Sequence, residues 1–341
     1  MRVYVIIFVL LLPISAIGQD SLPYNSYKDK VVLYSDLGFK AAPFTLKDDF
    51  PLGVKKLSFK HNINPIMGFG IAYKWFGLRI GFGLPIQTKP VSDFGRSNYT
   101  DLGIKFNIKQ TFWNLDFRNY RGFAIKDAYK WNDTLTELTP NDLRPYTSTA
   151  SFSINSWYFR NRDYKMQSVF GLAGDFNQSV STWYIKSTFS VFGVGNAGDS
   201  LVPNRSLIPF ELTDTTDKSK ASTAFAIDLG VVPGYAYTFR QGNWQISVFG
   251  GIGAVLQAKT FSRGNVSRSF LGLAPRVDLR FIAGYSKPRY FFWFVTDFDI
   301  KSISYQEIKF NQTYYSMQVV GGMRLNKKEK EKKKKKRRKD N

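Results

Sequence analysis

His61 is the only histidine in the chain, so it is the one side chain suited to general-base chemistry near neutral pH. Its surroundings, Leu57 to Asn62, contain no recognisable nucleophile motif, and a serine partner would have to come from another strand. A lipid hydrolase that uses His61 with an unidentified serine therefore remains open as an alternative. A structural histidine in a loop is the interpretation that the local sequence favours.

Metal and phosphate chemistry find less support in these residues. Cysteine is absent and histidine occurs once, so no zinc-type cluster can form. Glu211, Asp214 and Asp217 offer oxygen ligands, but their spacing is not that of an EF-hand. The glycines in 68–70 and 250–253 lie within alternating segments, where close packing of strands explains them better than a phosphate-binding loop does. We expect no metal and no cofactor.

A larger set of charged side chains recurs at alternate positions of apolar segments. These residues either line a polar conduit or pair with one another across an interior. Because both signs occur, pairing is favoured, and the sequence predicts a plugged or narrow lumen. The candidate lumen residues are Arg79, Lys105, Lys109, Asp116, Arg118, Arg276, Asp278, Arg280, Asp297, Asp299 and Arg324.

The elements that must position these charges have the period of a β-strand. From Met67 to Trp75, every second residue is large and apolar, and the residues between are mostly glycine or alanine. The same alternation follows from Leu78 to Leu84 after a short turn, so the two segments predict a β-hairpin. Similar segments continue to Leu325, with less regular examples at 150–159, 165–174 and 181–192.

A soluble β-sandwich also alternates, so three further features decide between the two folds. Many segments reach the ten residues that a tilted membrane strand needs. Aromatic residues gather near segment ends, as at Trp183 and Tyr184, which is typical of interfacial girdles. The second face is small or charged. We therefore predict an all-β fold, a transmembrane antiparallel β-barrel of about 12 strands, within a range of 10 to 14. The secreted β-sandwich that binds a ligand is kept as the second alternative.

Five polar stretches between the predicted strands are interpreted as outward loops, because long connections of such barrels face the exterior. They are 41–56, 86–99, 120–148, 193–221 and 258–270.

The chain begins with features of an export signal. Arg2 precedes an apolar run from Val3 to Leu12, and small residues follow up to Gly18, so residues 1–18 are predicted to be a signal peptide. No cysteine stands at the cleavage site to accept a lipid, which excludes a lipoprotein. The predicted barrel then covers residues 19–325.

Part of the formal charge of +22 is concentrated at the C-terminal end of the sequence. Residues 326–341 hold 11 Lys and Arg against three acidic residues, and we expect this tail to be disordered. The remaining positive charge is spread among aromatic segments, and export removes the chain from cytoplasmic nucleic acid, so we expect no nucleic-acid partner.

Several of these segments resemble a known family, the domain of unknown function 4421. The resemblance lies in the strand from Val31 to Phe39, the hairpin from Gly68 to Leu84, the segment 99–102 and above all the stretch from Asp116 to Phe123. It implies an envelope protein of the Bacteroidota lineage with no assigned activity. It implies no catalytic or binding residues, because its motifs are aromatic and glycine strand patterns.

Together these observations predict a Gram-negative outer-membrane barrel that is not an enzyme and is structural or passes small solutes weakly. Its expected partners are outer-membrane lipids and the barrel-assembly machinery, and the sequence names no extracellular ligand.

Overall fold

The computed structural model describes residues 22–62, 64–197, 200–202, 221–263, 266–304 and 309–326. The predicted signal peptide and the basic tail after Asn326 lie outside these ranges, as do Glu211, Asp214 and Asp217.

The described residues form sixteen strands and two short α-helices, α1 (Val91–Phe94) and α2 (Met166–Val169). The strands are β1 (Tyr24–Ser26), β2 (Lys30–Ala41), β3 (Phe44–Lys47), β4 (Lys56–Lys60), β5 (Pro65–Tyr73), β6 (Phe76–Gly83), β7 (Asn98–Ile108), β8 (Thr111–Ile125), β9 (Asp142–Phe159), β10 (Gly174–Phe176), β11 (Val180–Asn196), β12 (Thr223–Gln241), β13 (Trp244–Arg263), β14 (Val266–Ser286), β15 (Tyr290–Ser304) and β16 (Lys309–Asn326).

Twelve of these strands close into one antiparallel barrel. They follow one another in chain order from β2 to β16, skipping the short strands, and β16 pairs with β2 to complete the ring. The predicted fold class and the expected number of about twelve strands are both confirmed. Closure gives the first and last strands backbone partners, which a sheet in hydrocarbon requires.

The outer surface of the barrel is apolar. Side chains such as Phe69, Leu229 and Ile252 are 51%, 62% and 74% exposed, and they occupy the outward positions of their strands. A soluble protein rarely exposes a continuous apolar surface of this extent. The belt therefore faces lipid, and the alternative of a soluble β-sandwich is wrong.

The two ends of the barrel differ. Short turns at 74–75, 109–110 and 242–243, together with Lys30 and Asn326, mark what we call the turn end; the other end is the loop end. Exposed aromatic side chains, among them Trp75, Trp183, Trp244 and Tyr290, surround the turn end as an interfacial girdle. No helix among the described residues is long and apolar enough to cross a bilayer.

Two segments differ most from the sequence-based prediction, while the predicted loops 41–56 and 120–148 also contain parts of β3, β8 and β9. Residues 165–174 form no spanning strand: they contain the buried helix α2 and lie inside the barrel, where apolar residues are covered on every side. Residues 258–270 are not a loop, since β13 and β14 pair from Trp244↔Tyr285 up to Arg263↔Val266. These polar residues lie in the part of the hairpin that is farthest from the turn end.

The loop end also carries a small sheet extension. The hairpin of β3 and β4 bridges β16 and β8, passing above the shorter strands β5, β6 and β7. The β3–β4 hairpin thereby provides backbone pairing between β16 and β8 beyond the ends of β5, β6 and β7.

Candidate functional site

The interior of the barrel is arranged in three layers. An apolar cluster fills the loop end, with Phe44 stacked on Phe59 at a centroid distance of 4.2 Å. A second apolar cluster fills the turn end. Between them, inward positions of most strands carry charged or hydroxylated side chains. The middle layer holds most of the candidate residues and is the candidate functional site.

Arg79 on β6 is the centre of the first group of charges. Its guanidinium donates two hydrogen bonds to Asp36 on β2, Nε to Oδ2 at 2.6 Å and Nη2 to Oδ1 at 2.7 Å. It also contacts Asp101 on β7, whose carboxylate accepts a hydrogen bond from the Lys40 ammonium at 2.6 Å. Gln318 donates to Asp36 at 2.7 Å and links the group to β16. Each buried charge is therefore paired, as a low-dielectric interior requires.

Glycines on neighbouring inward positions provide the space for this group. A Cβ atom on Gly68 would lie 2.5 Å from an Asp36 carboxylate oxygen, and one on Gly81 would overlap the Asp101 carboxylate. The small face of the β5–β6 hairpin thus exists because the Arg79 network fills the volume above it.

Asp278 on β14 is the centre of the second group. Its carboxylate accepts hydrogen bonds from Lys186 on β11 at 2.8 Å and from the Tyr184 hydroxyl at 3.0 Å. The indole Nε1 of Trp157 on β9 lies 3.4 Å away. Lys186 and Asp278 are mostly buried, so the pair is shielded from solvent and joins strands that are not neighbours.

Further ion pairs complete the layer. Arg280 pairs with Asp297 across the β14–β15 contact, Arg118 pairs with Asp116 along β8, and Arg276 pairs with Asp228 on β12. These pairs account for most of the inward charge and leave two small cavities beside them, of about 70 Å³ and about 100 Å³. Cavities of that size hold a few water molecules.

Two inward lysines differ from the rest, because within the described part of the chain neither has a carboxylate within salt-bridge distance. The Lys105 ammonium lies 4.2 Å from the centroid of the Phe170 ring. The Lys301 ammonium donates to the Ser153 hydroxyl at 3.1 Å.

The turn-end layer is a plug formed by the connection 160–179. Arg324 on β16 donates to the carbonyl of Gly171 from Nε at 3.1 Å and from Nη2 at 2.7 Å, and Nη2 also reaches the Ser286 hydroxyl at 2.9 Å. Gly171 has a φ of +66°, and a Cβ atom there would lie 2.5 Å from the Trp293 indole nitrogen. The plug therefore contacts the last two strands closely.

Asp175 ties the plug to the N-terminal segment and to the wall. The strand β10 pairs with β1, and the Asp175 carboxylate accepts hydrogen bonds from Asn25 at 2.9 Å and from the Tyr27 hydroxyl at 3.2 Å. Arg240 on β12 lies 3.5 Å from the same carboxylate. Burial and the neighbouring Asp175 charge raise the pKa of Tyr27 to about 12, so its hydroxyl remains a donor at physiological pH.

His61 lies in the loop-end layer rather than in the charged middle. Its Nε2 accepts a hydrogen bond from the backbone N–H of Ala42 at 3.0 Å, and Nδ1 lies 3.2 Å from the carbonyl of Asn62. Its ring packs against Tyr120 and Phe123. Burial lowers the pKa of His61 to about 4. Both ring nitrogens are therefore occupied by backbone groups.

The structure places ten of the eleven candidate lumen residues on inward positions. Arg324 lies at the turn end beside the plug, and the other nine lie in the charged layer. Lys109 is the exception: it is exposed in the β7–β8 turn with a φ of 53°, because β7 ends at Ile108 and the alternation ends with it.

Sequence reasoning missed six charged residues of the middle layer, which are Asp36, Lys40, Asp101, Lys186, Asp228 and Lys301. The signal for Asp36 and Lys40 was available, since both occupy the small or polar face of an alternating segment. Asp228 lies in a segment whose alternation is interrupted by the Gly230 to Gly234 stretch.

No group of three or more potential metal ligands comes together in the part of the chain that the structure describes.

Comparison with solved structures finds several outer-membrane barrels of similar fold. The protease OmpT of Escherichia coli is 8% identical, with 90% of this chain and 99% of that chain covered and a TM-score of 0.39. The translocator domain of the Neisseria meningitidis autotransporter NalP is 9% identical, with 87% and 88% covered and a TM-score of 0.38. The Pseudomonas putida toluene transporter TodX is 8% identical, with 88% and 90% covered and a TM-score of 0.29. These likenesses are too distant to bear on activity.

No curated protein matches the chain in sequence. A family match, however, extends over residues 19–325, the whole of the predicted barrel. The resemblance noted in the sequence is thereby confirmed: the chain belongs to the family known as domain of unknown function DUF4421.

Proposed function

We propose that this chain is a closed, non-enzymatic β-barrel of the bacterial outer membrane, with a structural role and at most weak passage of small solutes. The observation that carries the proposal is the charge-paired interior, in which Arg79 joins β6 to β2 and β7, and Asp278 joins β14 to β11. A barrel built for free diffusion would keep this volume open to water.

The location rests on the apolar belt together with the predicted signal peptide. Long connections of bacterial barrels face the exterior and short turns face the periplasm. We therefore assign the turn end, with the plug and the strand ends at Lys30 and Asn326, to the periplasm. Outer-membrane lipids are the partners that the belt requires, and the barrel-assembly machinery is the partner that insertion requires.

Closure to solutes is supported by the energy needed to clear the interior. Removing one partner of a buried ion pair costs about 3–5 kcal/mol, because the other charge is left unpaired. A conducting path would have to separate several such pairs and move the plug away from Arg324. The small cavities beside the pairs fit a few water molecules and leave room for occasional slow passage.

Planar-bilayer conductance tests this proposal. The wild-type protein is expected to show no stable open level, whereas Arg324→Ala, which frees Gly171, should show intermittent openings. Arg160→Ala is the matched control, because Arg160 lies in the connection 160–179 together with Gly171 but is exposed to solvent. Heat-modifiable gel mobility identifies the folded fraction of each variant. A stable open level in the wild type would contradict the proposal.

The non-enzymatic part is supported by the position of His61. A general base needs a free nitrogen within reach of the proton that it removes. The two ring nitrogens of His61 face backbone groups instead, and Ala42 N–H occupies the acceptor at 3.0 Å. We expect His61→Ala to leave lipid release from outer-membrane vesicles unchanged. Loss of lipid release in that variant would favour the hydrolase alternative.

A further inference from the structure

The wall of the barrel has an incomplete seam between β14 and β15. Backbone pairing runs from Ser286↔Phe291 to Leu279↔Phe298 and then stops, although both strands continue. On the outer sides of the seam, β14 stays paired with β13 up to Val266, and β15 stays paired with β16 up to Ser304.

The gap is long enough to admit a molecule. Continued pairing would match residues 273–278 with residues 299–304, which are six residues on each strand. At about 3.4 Å per residue, the unpaired stretch measures roughly 20 Å along the strands. It starts eight pairs above the turn-end girdle and opens toward the loop end.

The edge of β15 at the gap receives side chains in place of a strand. Arg276 Nη1 donates to the carbonyl of Ile300 at 3.3 Å, and Gln257 Nε2 donates to the carbonyl of Ser302 at 2.9 Å. Lys259 contacts the carbonyl of Ser304. On the facing strand, Pro275 has no N–H to donate, a residue type that sheets confine to edges and bulges.

The interior cavity of about 70 Å³ extends to this seam. It is lined by the inward residues Arg276 and Lys301, and also by Val277, Leu279 and Phe298, which occupy outward positions of the two strands. The charged layer and the lipid-facing surface therefore meet at the gap without a complete backbone wall between them.

Hydrocarbon cannot satisfy unpaired backbone groups, so the edges of this gap need polar partners. Side chains of Arg276, Gln257 and Lys259 supply some of them, and water or the polar groups of a ligand would supply the others. Apolar side chains border the gap on the membrane side, among them Leu273, which is 79% exposed. A polar interior behind an apolar border suits a molecule with both characters. We propose that the seam is a lateral portal for a single-chain amphiphile, whose headgroup lies in the gap at the mouth of the cavity while its acyl chain stays in the membrane.

The headgroup chemistry follows from two residues beside the gap. Asp299 and Lys301 occupy successive inward positions of β15, and no ion pair with either is formed among the described residues. Hydroxyls and amides of Ser153, Asn155 and Thr188 line the same cavity. These two charges of opposite sign, which attract one another without direct contact, complement a zwitterionic headgroup better than a strongly anionic one.

Cysteine cross-linking tests the seam itself, and the chain has no native cysteine to interfere. The pair Phe281→Cys and Thr296→Cys lies in the paired part, where the two residues are register partners. The pair Val277→Cys and Ile300→Cys lies four residues further along each strand, where continued pairing would also make them partners. Under a mild oxidant in vesicles, the first pair should form a disulfide and the second should form at least tenfold less. Equal yields would overturn the proposal.

Photolabelling tests the ligand class. The probe is a lysophosphatidylcholine with a diazirine at the acyl carbon nearest the headgroup, and a fatty acid of equal length with the same diazirine is the comparison. Labelling by the zwitterionic probe should concentrate on residues 273–279 and 298–301 and should fall at least fivefold in Asp299→Asn, Lys301→Met. Uniform labelling of the belt, or equal labelling of the seam by the fatty acid, would overturn the assignment. The portal rests on the part of the proposed function that places the barrel in a bilayer, but it does not require a closed lumen. An open lumen in the conductance experiment would therefore contradict the proposed function alone, and a negative labelling result would contradict the portal alone.

Discussion

Acidification should destabilise the barrel through His61, in the loop-end cluster. The imidazole is buried, accepts a hydrogen bond from Ala42 N–H and lies beside the carbonyl of Asn62. This arrangement suits the neutral ring with its proton on Nδ1. Protonation of Nε2 would place a second donor against the Ala42 N–H inside an apolar cluster.

The size of the effect follows from the pKa. Burial lowers the pKa of His61 from 6.5 to about 4 in the folded protein, while the unfolded chain keeps the ordinary value. Below pH 6.5 the unfolded state binds more protons, so stability falls as the pH falls and the loss is complete once the pH is below about 4. At about 1.4 kcal/mol per pH unit, a difference of roughly 2.5 units corresponds to about 3 kcal/mol.

Equilibrium unfolding in urea, from vesicles at pH values between 7.5 and 4, measures this contribution. Carboxylates also titrate near the lower end, so the comparison variant is His61→Gln, whose amide oxygen can accept from Ala42 N–H without titrating. The free energy of unfolding of the wild type should fall about 3 kcal/mol more than that of His61→Gln over this range. If the two proteins lose stability in parallel, the reasoning about His61 is refuted.

Three further substitutions test the interior packing, each followed by the free energy of unfolding or by proteolysis. Gly81→Ala should destabilise the barrel by about 3 kcal/mol, because its Cβ overlaps a carboxylate of the ion network, whereas Gly77→Ala meets nothing closer than 3.5 Å and should cost less than about 1 kcal/mol; equal losses would contradict the packing argument. Gly171→Ala should expose the plug to protease, while Gly242→Ala, which shares a positive φ but faces open space, should not; equal cleavage would mean that backbone strain alone acts. Arg79→Met should cost about 3–5 kcal/mol by leaving the Asp36 carboxylate without a cation while Asp101 keeps Lys40, and a loss below about 1 kcal/mol would show that Asp36 is hydrated.

The barrel was predictable because its signal is local. Side chains on a strand alternate between two faces, so an apolar outer belt leaves a period of two in the sequence wherever a strand crosses. The hairpin of β5 and β6 shows this most clearly. The plug left no such signal, because residues around Met166 and Val169 are buried on all sides and so have no polar face to alternate with.

The pairing of the interior charges could not be predicted in the same way. Alternation places Asp278 on the inward face, but its partner Lys186 lies 92 residues away on a strand that is not its neighbour. The register of every intervening strand decides that contact, and one residue of slip would turn each side chain outward. Lys109 was placed wrongly for a different reason. Alternation alone would put it on the inward face, but β7 ends one residue earlier and Lys109 lies in the turn.

The position of the plug imposes an order on how the chain assembles. Pairing of Tyr24–Ser26 with Gly174–Phe176 closes a loop of about 150 residues that contains the first six spanning strands. The contacts of Gly171 with Trp293 and Arg324 form only when the last two strands arrive. Since long loop closures slow folding, the plug should dock on the first half of the chain and then serve as the template against which the second half seals the wall.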